Sequence, residues 1–198
     1  MLTKKLVIVD LESTGSDIKI HSIIQFGAVK LNKNFDIEDR FLQLVIPSTD
    51  EWDDGAFKVH KIEQQYAKNF GIPISECLDK FESFVGDSKQ YFLAAWGIMF
   101  DLGMIRIAYD RLQRKNPFSY RCYDIASIVR WFLSIYTDLG KHCGESKCAQ
   151  KLGVEIDHSK LHNALYDAEI SALNLKKIFE HIRKEKVYNT IENSSKDV

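Results

Sequence analysis

The sequence predicts an α/β domain on a mixed five-stranded sheet, with three antiparallel strands followed by alternating helices and strands. Three observations predict it. Residues 6–9 are a short uninterrupted aliphatic run, the mark of a central strand buried on both faces. Two partly alternating apolar segments, residues 22–32 and 40–46, follow with the turn-forming Asn32-Lys33-Asn34 between them. From residue 74 onward, stretches with apolar residues three and four apart alternate with brief apolar strands. The chain has 198 residues, 45% of them hydrophobic, which suffices for one full core. No repeat or low-complexity linker divides it, so residues 1–186 read as a single domain with helices on both faces of the sheet.

The first strand leads into Asp10-Leu11-Glu12. A strand repeats every two residues, so both carboxylates project from one face while Leu11 points the other way. Like charges that close are tolerable only if a cation neutralises them or one takes up a proton. Ser13, Thr14 and Gly15 then place hydroxyls and backbone N–H groups in a turn beside that charge. Residues 22–32 and 40–46 form the second and third strands, and Pro47 to Asp50 breaks the third. Residues 51–69 carry Trp52, Phe57, His60 and Tyr66 and read as short helices or a loop over one end of the sheet.

Residues 74–85 are helical, with Ile74, Leu78, Phe81 and Val85 on one stripe. Residues 91–96 are a buried fourth strand, and Gly97 permits a tight turn out of it. The next helix spans 101–112, with Met104, Ile105, Ala108 and Leu112 on its stripe and Asp101 in its first turn. Residues 120–123 make the fifth strand, and Asp124 can cap a helix reaching about Tyr136. A helix over 143–152 ends at Gly153. The last begins near Asn163 and runs to about Lys186, with Leu165, Ala168, Ala172, Leu175, Phe179 and Ile182 three and four apart. Residues 187–198 are polar and are expected to fray as a tail.

The net charge of −1 offers no broad basic field for a large duplex footprint and leaves a short or single strand open as a partner. The four cysteines show no CxxC spacing, no apolar segment precedes the first strand, and no run of 18 apolar residues exists. A soluble cytoplasmic protein with reduced thiols and no membrane partner is expected. His142, Cys143, Cys148 and His158 match no zinc spacing.

His162 and Asp167 add a further pair. Five residues rotate by ~140° on a helix, so the two converge only if His162 lies on the loop before the helix and Asp167 in its first or second turn. Alone, Asp101 also reads as an ordinary helix-start acid and His162 as a surface or N-cap histidine.

Together, Asp10-Leu-Glu12-Ser-Thr-Gly15, Phe100-Asp101 after a strand, and His162-x4-Asp167-Ala168 resemble the three motifs of the DEDDh 3′→5′ exonucleases. That family belongs to the ribonuclease H-like superfamily and includes the proofreading subunit of bacterial polymerase, ribonuclease T and the histone-mRNA exonucleases. Ile23 to Ala28 resembles the family's second strand, Val59-His-Lys-Ile62 its (T/H)-G-I segment and Trp96-Gly97 its W-G or D-G. The resemblance covers roughly residues 5 to 180. The chain departs at Ser16, where leucine often stands, at Lys61, which replaces a glycine, and in a longer Trp96–Asp101 spacing.

The resemblance implies release of nucleoside monophosphates from the 3′ end of single-stranded or 3′-overhanging RNA or DNA. Asp10, Glu12, Asp101 and Asp167 form a hard oxygen site suited to two Mg²⁺ or Mn²⁺ ions. Such ions would hold a scissile phosphate, one activating water and the other the leaving 3′-oxygen. A neutral imidazole suits His162 as the general base, with Tyr166 as its rival. Ser13, Thr14, Gly15, Phe26, Phe57, His60 and Phe100 are the candidate substrate contacts, and Trp96 is another aromatic that could stack on bases. Arg106, Arg111, Arg114 and Lys115 form either a basic edge or a solvated helix face. A different metal-dependent phosphoesterase, or a catalytically silent nucleic-acid-binding or scaffold domain of the same fold, remains open.

Overall fold

β1 (Lys5–Ser13) is the axis of a five-stranded sheet whose order is β3-β2-β1-β4-β5. The computed structural model describes residues 5–139 and 143–194, with side chains to Glu185. β2 (Ile23–Leu31) and β3 (Ile37–Leu44) run antiparallel in turn, with Asp10 opposite Gly27 and Glu12 opposite Gln25. The register shifts at Glu12/Ser13, so the strand bends just where its second carboxylate leaves the ladder. β4 (Tyr91–Ala95) and β5 (Cys122–Asp124) lie parallel to β1 on its other side. This is the mixed sheet expected of a ribonuclease H-like domain.

Between β3 and β4 come α1 (Asp54–His60), α2 (Gln64–Phe70) and α3 (Ile74–Val85). Then follow α4 (Ile98–Arg111), α5 (Ile125–Ser134), α6 (Glu145–Lys151) and α7 (Ala164–Ser194). The strand period of two sorts β1 between two cores. Val7, Val9 and Leu11 pack with Phe26, Leu78, Phe81, Ile105 and Tyr109 under α3 and α4. Leu6 and Ile8 pack with Val29, Val129, Ala168, Ala172 and Leu175 under α5 and α7. Asp10 and Glu12 continue the second series, so they emerge on the α7 face.

Two helix boundaries differ most from the apolar periodicity. α4 begins at Ile98 rather than Asp101, because Gly97 adopts φ +83° and turns the chain directly into the helix. α7 continues to Ser194 rather than ending near Lys186; residues 187–194 contain neither glycine nor proline to stop it. His142 lies outside the described residues. Cys143 and Cys148 are buried free thiols whose sulfurs lie 2.9 Å apart. Among the described residues no helix is long and apolar enough to cross a membrane.

Candidate active site

The site forms where α7 begins over the carboxylate end of β1. Gly27 faces α7, and a β-carbon there would lie 2.2 Å from the backbone of Ala164. Its absence lets the helix start rest directly on β2. Gln25, two residues earlier on the same face, accepts the Ala164 N–H through Oε1 at 2.8 Å. Because Gln25 pairs with Glu12, this anchor sets the first turn of α7 beside Glu12.

His162 occupies the turn just before the helix in a left-handed conformation, φ +66°. Its backbone N–H donates to Asp167 Oδ2 at 2.9 Å, closing the turn on the first-turn acid. Ligand-type atoms of Glu12, His162 and Asp167 all lie within 4.8 Å of one another. The five-residue offset therefore converges in the way a loop-then-helix placement requires. Asp101, only 4% exposed, reaches the same place from the first turn of α4. The backbone N–H groups of Asp101 itself and of Leu11 favour the charged form of its carboxylate.

The electrostatics record how crowded this is. Burial, then the charges of Asp101, Glu12, Asp167 and Glu145, push the Asp10 carboxyl well above the usual range. Glu12 is pushed up to about 8 by burial and then by Asp167 and Asp101. Asp101 rises to about 7 through burial, partly offset by its two N–H donors. Asp167 is raised by burial, offset by the His162 N–H. Among the described residues no lysine or arginine forms an ion pair with any of these acids. A cluster of acids with no lysine or arginine paired to it among the described residues, and whose members resist ionisation, fits a hard divalent cation.

A profile for the exonuclease family of ribonuclease T matches residues 7–175. This chain belongs to that family. Among curated relatives, DNA polymerase III PolC-type of Staphylococcus epidermidis is 30% identical over 190 residues, covering 96% of this chain and 12% of the relative. The Staphylococcus aureus protein of the same name is 30% identical over 183 residues, 92% of this chain and 12% of that one. The chain thus spans about one eighth of the length of those relatives. The nuclease domain of 3'hExo, a DEDDh family member bound to rAMP, shares the fold at TM-score 0.73 and 21% identity, covering 90% of this chain and 93% of that one. E. coli Exonuclease I in complex with a dT13 oligonucleotide gives TM-score 0.77 and 17% identity, covering 94% of this chain and 43% of that one. The residues whose pattern resembles the DEDDh motifs, Asp10, Glu12, Asp101, His162 and Asp167, all lie within the matched span.

Within this exonuclease fold the other candidate residues separate. A cleft of ≈ 390 Å³ opens beside Glu12, lined by Ser13, Gly15, His60 and Phe100 among others. His60 is 8% exposed, and its buried Nε2 has no hydrogen-bond partner, while Nδ1 accepts the Ile62 N–H at 2.9 Å. It also borders a second cleft of ≈ 590 Å³ with His162 and Lys160. Tyr166 lines that second cleft too, but its hydroxyl accepts the Asp157 N–H at 2.7 Å and fastens the preceding loop.

Phe26 is a correction. It has no exposed surface and packs against Phe81, ring centroids 4.4 Å apart, because parity places it on the face opposite Gln25. Thr14 is also fully buried; its Oγ1 accepts the Ser22 N–H at 3.1 Å, so it shapes the turn and does not face the cleft. The Ser13 hydroxyl donates to the Gly15 carbonyl at 2.8 Å. Phe57 lies outside the residues lining the cleft beside Glu12, edge-on to His60.

The basic edge also comes apart. Arg111 donates to the carbonyls of Lys19 and His21, Arg114 pairs with Asp79 and Glu82, and Arg106 lies 3.9 Å from Asp110.

Glu145 is the residue that sequence reasoning missed. It opens α6, accepts the Ser171 hydroxyl at 2.5 Å and is pushed up to about 8. Burial is the main cause, opposed by that hydrogen bond and reinforced by Asp167 and Asp101. Ser171 lies one helical turn beyond Asp167, so α7 carries both. One signal was available: Glu145 precedes the buried Cys148 and Ala149 by three and four residues, on the apolar stripe of its helix.

Proposed function

We propose that this chain is a divalent-metal-dependent 3′→5′ exonuclease that releases nucleoside monophosphates from single-stranded nucleic acid. The observation that carries this reading is the meeting of Glu12, His162 and Asp167 within 4.8 Å, beside Asp10 and Asp101 and with no lysine or arginine paired to them among the described residues. Asp10, Glu12, Asp101 and Asp167 would hold Mg²⁺ or Mn²⁺. Ions bound there would supply Lewis-acid stabilisation of the scissile phosphate and a more acidic water.

The chain's own residues do the rest. His162, exposed on its turn and tethered by its backbone to Asp167, has its imidazole free to take a proton from water at Nδ1 or Nε2. Tyr166 is a poor rival, since its hydroxyl is already occupied by the loop. The cleft beside Glu12 would receive the terminal nucleotide, with Phe100 as a ring for the base and the His60 Nε2 as a donor or acceptor that gains a partner. Gly15 keeps the backbone at the cleft narrow, since a β-carbon there would meet the His21 ring at 2.4 Å.

The test is direct. The purified chain with Mg²⁺ or Mn²⁺ is given single-stranded DNA, RNA and short oligoribonucleotides labelled at the 5′ end. A descending ladder that vanishes in EDTA and stalls on a 3′-phosphate is expected. Cutting of closed circular single strands, or full activity in chelator, would overturn the reading.

A further inference from the structure

Asp124 ends β5, opposite Ala95 at the end of β4. The chain leaves β4 through Trp96 and Gly97, and Gly97 stands in the left-handed region at φ +83°. α4 starts at the next residue with no side-chain cap from its own N-cap position. A helix start leaves four N–H groups without partners. Here the acceptor comes from another strand. Asp124 Oδ1 accepts the N–H of Gly97 at 3.0 Å and that of Ile98 at 3.4 Å. Its Oδ2 accepts the Ser127 hydroxyl. Burial would favour the neutral acid, but the Ser127 hydroxyl and the two N–H groups outweigh it and hold this carboxyl below its usual range. A full negative charge then sits at the positive end of α4.

The first turn of α4 carries Asp101 and Phe100. Asp101 lies beside Asp10 and Glu12 of β1, so any slide or rotation of that turn changes its place relative to them. The sequence suggested Asp124 only as a cap for α5, where it holds the N-cap position but makes no side-chain cap hydrogen bond; its reach to α4 depends on β5 lying beside β4.

We propose that Asp124 is a positioning residue for Asp101, fixing the first turn of α4 from the neighbouring strand. The proposal rests on reading Asp101 as a metal ligand. Asp124 is not itself a ligand, since both its oxygens are occupied by the helix start and Ser127.

The experiment compares the full chain with Asp124→Ala and Asp124→Asn at a temperature where circular dichroism shows all three folded. Mn²⁺ binding is measured by calorimetry, alongside the Mg²⁺ dependence of the rate and hydrogen exchange at Gly97 and Ile98. Asp124→Ala should weaken Mn²⁺ binding about 10-fold, the low end for a group that orients a ligand. The Mg²⁺ needed for half-maximal rate should rise with it, while KM for the oligonucleotide stays near wild type. Exchange at the two amides should quicken. Asp124→Asn keeps an acceptor oxygen and should recover most of the binding.

A purely structural cap would lower the melting temperature of Asp124→Ala and leave Mn²⁺ affinity at the wild-type value, which overturns the proposal. If Asp124→Ala does not fold, Ser127→Ala decides on the same readout: a smaller loss of affinity supports the proposal, and unchanged affinity overturns it. Wild-type protein that binds no Mn²⁺ would remove the metal reading and this inference together. Wild-type binding that Asp124→Ala retains removes this inference alone.

Discussion

Two clusters of carboxylates flank α4, and they are built on opposite terms. Behind the helix, Glu82 accepts the Tyr109 hydroxyl at 2.8 Å and Arg114 at 2.7 Å, while Asp79 takes the same guanidinium at 2.7 Å. Every acid there has a donor or a counter-charge. Tyr109 is fully buried, and burial followed by Glu82 pushes its hydroxyl far up, so it stays a donor. At the front, Asp10, Glu12, Asp101, Asp167 and Glu145 crowd one another, and no arginine or lysine pairs with them among the described residues. A matched carboxylate fastens two helices together. An unmatched group costs stability in the empty protein, and that cost is recovered only when something positive arrives. The contrast marks the front cluster as the candidate site without reference to any relative.

Removing an acid from the front cluster sharpens the contrast most. Asp10→Ala or Asp101→Ala should lower nuclease turnover by several orders of magnitude while the chain still folds, because the deletion also relieves repulsion. Steady-state rates with Mn²⁺, read beside metal-free melting curves, check both halves. Near wild-type turnover in either variant would end the two-metal account.

His162→Ala comes next. The rate should fall by ~10²–10⁴, because proton transfer is lost while the carboxylates stay in place. Mn²⁺ affinity should barely change, since the tether to Asp167 is made by backbone and survives the substitution. Asp167→Ala should weaken metal binding as well. If His162→Ala lost Mn²⁺ affinity as strongly as Asp167→Ala, the imidazole would be a ligand rather than a base. Equal damage from Tyr166→Phe would move the base to the tyrosine.

How much of this was legible depended on how far apart the chain keeps its partners. Strand parity put Asp10 and Glu12 on one face, and a loop meeting a helix let His162 and Asp167 converge. Joining them with Asp101 took the resemblance to the three exonuclease motifs, because Asp101 alone also reads as an ordinary helix-start acid. Phe26 was misread because both faces of β2 are apolar, so composition does not say which face meets the cleft; its register beside Gln25 does. Whether Arg111 and Arg114 form a basic edge or a solvated face stayed open because their acceptors, the Lys19 and His21 carbonyls and the Asp79–Glu82 pair, are distant in sequence. Glu145 reaches the site only because α6 packs on α7 through Ser171, a tertiary fact that no local motif announces.

The protonation of the front cluster makes a third test, of stability rather than rate. Folding raises Glu12 from 4.5 to about 8, Asp101 from 3.8 to about 7 and Glu145 from 4.5 to about 8. The folded chain therefore binds protons more tightly than the unfolded one across that window. Their contribution is fully present below the unfolded values and is lost as pH rises through the folded ones. Metal-free protein should melt progressively lower between pH 5 and pH 8. Mn²⁺ should restore the melting temperature at pH 8, and Glu12→Gln should flatten the slope. A metal-free melting temperature that rises steadily over this range would mean that the acids are not buried together.

The smallest effect is expected at the rear cluster, and it tests whether the two are independent. Arg114→Met removes one cation from Asp79 and Glu82, together with its bond to the Ser75 carbonyl at 3.3 Å. The Arg114 side chain is 31% exposed, so water softens the loss, and about 1 kcal/mol is expected. Glu82→Gln in the same chain should return part of it, because an amide left beside Tyr109 carries no unpaired charge. Neither change should alter Mn²⁺ affinity or nuclease rate, since α4 is held at its other end by Asp124. A drop in metal affinity in Arg114→Met would show that the helix transmits strain along its length. The rear cluster would then belong to the machinery of the site, and the division between fastener and site would fail.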